Sequence, residues 1–374
     1  MNTTHATTTR AAVLTGPETI EIKEFPIPKL LPGEMLIEVE ACGICGTDVH
    51  EFKRDPFGLI PVVLGHEGTG KIVSFGEGTF RDFTGKELRV GDSIVTSVLI
   101  PEDCPYTREH PSRSNLSDGL GVYGLFPDSE SHHLNGYFAT HLVIRPGSSV
   151  FKVDGMTLWQ RILIEPFAVT YHALERAKTT GLLNFGTVVA VQGCGPIGQM
   201  MIATLHTFGV NRIVAIDGVE SRLEMARRMG ASETVNVSGK SPAECIAAVT
   251  SLNAGTGVDF IFQCTGVPAA AALAWKYVRR GGGLCEVGFF MDNGECPINP
   301  HEDLCKKEIT AVGSWVYTAE EYPPAIAMVK QAAKIGLPID ELVTASYPLD
   351  RINEAMRDNI AMKGVKLAIV PKVG

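Results

Sequence analysis

With 374 residues the chain is too long for one simple core and long enough for two domains of ordinary size. Its formal net charge of −9 argues against nucleic acid as the main partner, because phosphate binding needs a clustered basic surface. Nine scattered cysteines are too few for a disulfide scaffold and fit a reduced, cytoplasmic protein, and no run approaches the roughly 18 apolar residues of a membrane span.

The chain opens on a Thr-rich stretch, Met1 to Arg10, which lacks the apolar region of a secretory signal and reads as a frayed tail. Up to residue 150 the texture is one of short strands broken by Gly and Pro. Met35 to Glu40 alternates apolar and polar residues, and β-rich segments recur at 70–75, 89–95 and 140–144 beside turn signals. A small barrel-like or sandwich β domain is predicted. The segment 102–135, rich in Pro, Ser, Asp and His, is too long for an ordinary loop and reads as a lid, an oligomer contact or a surface insertion.

From Pro166 the texture changes. A helix over 167–178 leads into Thr187-Val-Val-Ala-Val-Gln, an apolar strand of the buried parallel type. Further strands are predicted at 212–217, 258–263 and 283–288, alternating with helices at 221–229 and 269–279. Such alternation means a doubly wound parallel sheet of the Rossmann kind, giving an α/β fold class. A helix over 320–335 and a short β-rich tail at 365–370 return to mixed texture.

Gly193-Cys-Gly195-Pro196-Ile197-Gly198 leaves a buried strand and opens a helix, and Asp217 ends the next strand about 20 residues on. The first glycine permits the turn, the second lets backbone approach a pyrophosphate, and the third packs helix on strand. Free N–H groups at the helix start would hold the phosphates. A carboxylate at Asp217 accepts ribose hydroxyls and repels a 2′-phosphate, so the cofactor is read as NAD rather than NADP. Arg222 is placed beside the adenosine ribose, and Cys264, at the end of a later strand, is grouped with the cofactor residues.

Three short motifs supply a second site: Cys42-Gly-Ile-Cys45-Gly-Thr47-Asp-Val-His50, Gly65-His66-Glu67 and Ile164-Glu165-Pro166. A catalytic zinc needs three protein ligands and one open position. Cys45, His66 and Glu165 meet that count with a summed charge of −2, which neutralises Zn²⁺ while leaving it a Lewis acid.

These motifs, in this order and over nearly the whole chain, resemble the zinc-dependent alcohol dehydrogenase branch of the medium-chain dehydrogenase/reductase superfamily. The resemblance implies a GroES-like catalytic domain at 1–166, completed by 317–374, around a Rossmann NAD-binding domain at 167–316. It carries over Cys45 and His66 as zinc ligands, Thr47 as the hydrogen-bond partner of the substrate hydroxyl, His50 as the proton relay and Glu67 as a residue tuning the metal. Lys366 would reach the cofactor pyrophosphate. Glu165 stands where ethanol-type enzymes carry Cys, which is similar to the polyol, butanediol and threonine dehydrogenases.

Only Cys104 lies where many relatives hold four structural-zinc cysteines, and His110, His132 and His133 match no usual spacing, so one zinc per subunit is expected. The implied activity is reversible hydride transfer between NAD and a secondary alcohol or polyol-like small molecule. Phe57, the 102–135 segment and Phe289-Phe290 are assigned to the walls of the substrate pocket. A homodimer or homotetramer through a strand near 299–315 is implied by analogy. The rivals are a zinc-free quinone or enoyl reductase of the same superfamily, which would lack the Cys/His/Glu set, and a non-catalytic relative that keeps only the fold.

Overall fold

The computed structural model describes residues 7–129 and 133–372. The chain divides into two compact units, one formed by Met1–Glu165, Thr318–Ile326 and Asp340–Gly374, the other by Pro166–Tyr317 and Ala327–Ile339. The segment 327–339, expected in the first domain, therefore belongs with the second.

In the first unit a seven-stranded sheet runs in the order Val150–Lys152, Ser93–Thr96, Glu67–Phe75, Met35–Gly43, Lys366–Val370 and Val343–Pro348, with His141–Ile144 also paired to Met35–Gly43. Ile37, Val39, Ile94, Leu142 and Ile369 point into its core, each essentially inaccessible to water. Burying an aliphatic side chain of this size stabilises by about 1.5–3 kcal/mol. The C-terminal strand is thus an interior member of a sheet whose other strands are mostly N-terminal. A second, three-stranded sheet contains Thr8–Gly16. That strand corrects the expectation of a frayed tail as far as Arg10. Ala11 to Leu14 are buried, and the backbone is tied down by pairing to Thr19–Pro26 and Val62–Val63. Met1 to Ala6 lie outside the described residues.

The second unit holds six parallel strands in the order Glu233–Asn236, Arg212–Asp217, Val188–Gln192, Val258–Gln263, Val278–Glu286 and Thr310–Gly313. This is the strand order of a dinucleotide-binding sheet, with its reversal beside Val188–Gln192. Val188 to Gln192 are all buried, as a central parallel strand covered on both faces requires. Helix Leu158–Lys178 begins nine residues before its expected start and carries Pro166 in its interior. Proline removes one helical hydrogen bond, and the complete burial of Ile162, Leu163, Ile164 and Phe167 offsets the loss. Glu165 accordingly sits on a helix. Among the described residues no helix is long and apolar enough to cross a membrane.

Candidate active site

Cys45 is the N-cap of helix Gly46–Arg54, directly after strand Met35–Gly43. The carboxylate of Asp48 accepts the Cys45 N–H at 2.8 Å and the Gly65 N–H at 3.1 Å. One buried residue thereby fixes both the loop carrying Cys45 and the loop carrying His66. Gly65 adopts φ +94°, and a Cβ there would stand 2.8 Å from the ring of Phe138, so the turn that presents His66 admits no side chain before it.

Donor atoms of Cys45, His66 and Glu67 all lie within 4.8 Å of one another. A thiol sulfur, an imidazole nitrogen and a carboxylate oxygen in this proximity form a donor set suited to zinc. The electrostatics agree. Burial works against a charged His66, yet Asp48, Cys45 and Glu165 around it outweigh burial and raise its proton affinity well above the ordinary value. His66 Nδ1 is buried with no hydrogen-bond partner, 3.5 Å from Asp48 Oδ1. The pocket attracts positive charge, and the residues present fit a divalent cation.

Glu67 was expected to tune the metal and Glu165 to bind it. The structure brings Glu67 into the donor cluster, while Glu165 is near enough for its charge to act on His66 and Lys366. Both Glu67 oxygens accept from Lys366 Nζ, at 2.6 and 2.5 Å, and the same ammonium donates to the Ile44 carbonyl at 3.2 Å. Lys366 is 2% exposed. This corrects its expected reach to the cofactor pyrophosphate, since its donors are spent on Glu67 and Ile44. Gly43 makes the pair possible, because a Cβ there would lie 2.2 Å from Glu67 Oε2.

Thr47 Oγ1 lies 3.7 Å from Cys45 Sγ. His50, one turn along the same helix, is held below its usual pKa by burial and then by Arg54 and Lys53, which keeps it neutral near pH 7. Cys42 is buried, and its thiol donates to the Gly43 carbonyl.

In the second unit the three glycines of the loop differ in their surroundings. Gly193 has φ +88°, and a Cβ there would meet Thr265 at 2.4 Å. Gly195, the N-cap of helix Pro196–Phe208, faces open space where a Cβ would stand. Gly198 packs so closely that a Cβ would lie 1.7 Å from the Gly193 carbonyl oxygen. Pro196 opens that helix and has no N–H, so the free N–H groups of the first turn begin at Ile197, at the helix end that suits a phosphate. Asp217 ends its strand, accepts the Cys194 N–H at 2.7 Å and stands 4.0 Å from Arg222 Nη1. The Cys264 backbone lies 3.2 Å from the Gly193 Cβ position and forms the facing wall of the turn.

The segment 102–135 is partly structured, with helix Pro105–Glu109 and strand Leu120–Val122 paired to Leu99–Pro101. Cys104 Sγ lies 3.5 Å from Ser117 Oγ, and His133 stacks on Phe25 with Nδ1 2.7 Å from Asp128. His132 is outside the described residues. Phe57 and Phe290 are exposed. Sequence reasoning missed the pairing of Lys366 with Glu67; its one signal was a lysine placed in the otherwise apolar run Val365-Lys-Leu-Ala-Ile-Val.

Comparison with known proteins follows these units. Residues 31–155 match the family model described as alcohol dehydrogenase GroES-like domain, and residues 196–331 match that described as zinc-binding dehydrogenase. A sorbitol dehydrogenase of Bacillus subtilis is 30% identical over 369 residues, covering 96% of each chain. A D-xylulose reductase of Saccharomyces cerevisiae is 29% identical over 363 residues, covering 95% of each. Among solved structures, an alcohol dehydrogenase from Thermotoga maritima superposes with a TM-score of 0.91 at 28% identity, over 98% of this chain and 100% of that one.

Proposed function

Because the chain belongs to the zinc-binding alcohol dehydrogenase family of the medium-chain dehydrogenase/reductase superfamily, we propose that it oxidises a secondary alcohol of the polyol type reversibly, with NAD as hydride acceptor. The observation that carries this reading is the convergence of Cys45, His66 and a carboxylate within one unit; the other unit, taken by itself, holds an open glycine loop and a strand that ends on Asp217.

Zinc held by Cys45, His66 and a carboxylate would supply Lewis acidity that lowers the pKa of the alcohol. The remaining work falls to the chain's own side chains. Thr47 accepts the substrate hydroxyl proton in a hydrogen bond, and neutral His50 passes that proton towards solvent. The loop from Gly193 to Gly198 orients the pyrophosphate, and Asp217 accepts the ribose hydroxyls and disfavours a 2′-phosphate. We assign the third metal corner to Glu165, supported by the engagement of both Glu67 oxygens with Lys366 and by the charge that Glu165 exerts on His66.

Metal analysis combined with NADH formation over a panel of alcohols, polyols and sugar acids tests the proposal. The expected result is one zinc per subunit and chelator-sensitive NADH formation with polyols. Full activity in metal-free protein, as a zinc-free reductase would give, would overturn it.

A further inference from the structure

Glu165 is carried by helix Leu158–Lys178, and one turn earlier on the same face stands Arg161. Arg161 is buried, an uncommon state for an arginine that serves no purpose. Its Nη1 donates to Glu40 Oε2 at 2.5 Å and lies 3.4 Å from Thr69 Oγ1, while its Nε has no hydrogen-bond partner. Both anchors belong to the strands that carry the metal loops. Thr69 follows Glu67 by two residues on strand Glu67–Phe75, so their side chains share one face of the sheet. Glu40 is the extra residue of strand Met35–Gly43 where the pairing shifts from Val39 opposite Gly70 to Ala41 opposite Thr69. A bulge of this kind re-aims a side chain, here towards the helix.

We infer that Arg161 is a positioning residue for the candidate metal centre: it clamps the first turns of the helix to Glu40 and Thr69, and so fixes Glu165 near His66. The inference rests on the reading that Glu165 takes the third corner. A buried guanidinium with an unsatisfied Nε is a costly way to hold a helix on a sheet. A second-layer residue that orients a ligand accounts for it.

The test compares wild-type protein, Arg161→Met, Arg161→Lys and Glu165→Gln after loading with Co²⁺. Chelator competition gives affinity, visible ligand-field absorption reports the ligand set, and melting of the metal-free forms reports the fold. Arg161→Met should weaken Co²⁺ binding about 10- to 100-fold and change the absorption band in the same direction as Glu165→Gln. Arg161→Lys, which keeps the charge on a shorter side chain, should recover part of the loss. A lower melting temperature with unchanged affinity and spectrum in Arg161→Met, while Glu165→Gln alters both, overturns the clamp alone. Unchanged metal binding in Glu165→Gln overturns the ligand assignment and the clamp with it. Should Arg161→Met not fold, Glu40→Leu removes the acceptor with little change of volume and carries the same comparison.

Discussion

Lys366 and Glu67 pair with almost no exposure to water, 299 residues apart in sequence. Removing one member of such a pair leaves a buried charge and costs about 3–5 kcal/mol, whereas replacing both with apolar residues is often close to neutral. Lys366→Met should therefore lower the melting temperature of the metal-free protein sharply, and Lys366→Met combined with Glu67→Leu should restore much of it. Glu51 offers a pH-dependent counterpart. Fully buried, with Oε2 unpaired, its carboxyl is pushed up to about 7, by burial first and then by the neighbouring Asp55 carboxylate. Its folded-state pKa exceeds the unfolded value, so its contribution to stability is complete below about pH 4.5 and is lost as pH rises through 7. The loss is on the order of 3 kcal/mol. Thermal melts from pH 5 to 8 should show falling stability in the wild type and a flatter profile in Glu51→Gln.

Two members of the candidate donor group were legible because each sits in a short local motif whose chemistry is carried by adjacent residues. Cys45 and His66 needed only their neighbours to be found. Lys366, Glu40 and Arg161 were not legible, since their partners are set by strand pairing and by one bulge, which no local pattern encodes.

At the scale of elements, the glycine loop separates folding from binding. A methyl group at Gly195 enters open space, whereas one at Gly198 collides with the Gly193 carbonyl. Gly195→Ala should thus keep its melting temperature while NADH binding, followed by fluorescence, falls at least about tenfold, equivalent to 1.4 kcal/mol. Gly198→Ala should lose stability as well. The parallel strands of this unit were readable from their apolar runs, and Arg212–Asp217 and Val258–Gln263 have the expected bounds. Strand Thr8–Gly16 and the early start of helix Leu158–Lys178 were hidden, the first behind a Thr-rich opening and the second behind Pro166. In both, tertiary burial outweighed the local signal.

For the whole molecule, strand Thr310–Gly313 closes one edge of the parallel sheet and is largely exposed. Beside it lies a mostly apolar cavity of about 360 Å³ whose lining includes Trp275, Phe289, Ile298 and Val312. A strand edge with apolar surroundings is a template for pairing with another chain, and it lies where the dimer or tetramer contact was expected by analogy. Ala311→Lys should leave the circular dichroism spectrum intact and lower the sedimentation coefficient; an unchanged oligomer would place the contact elsewhere. The interior position of Lys366–Val370 also bears on how the protein is made. Strand Met35–Gly43 leaves the ribosome long before its neighbour in the sheet, which brings the cation that neutralises Glu67, 299 residues further along the chain. During translation the parallel-sheet unit can therefore fold first, while the N-terminal unit waits with an open seam. A nascent chain released before residue 366 would carry the glycine loop but leave Glu67 without the ammonium that both its oxygens engage.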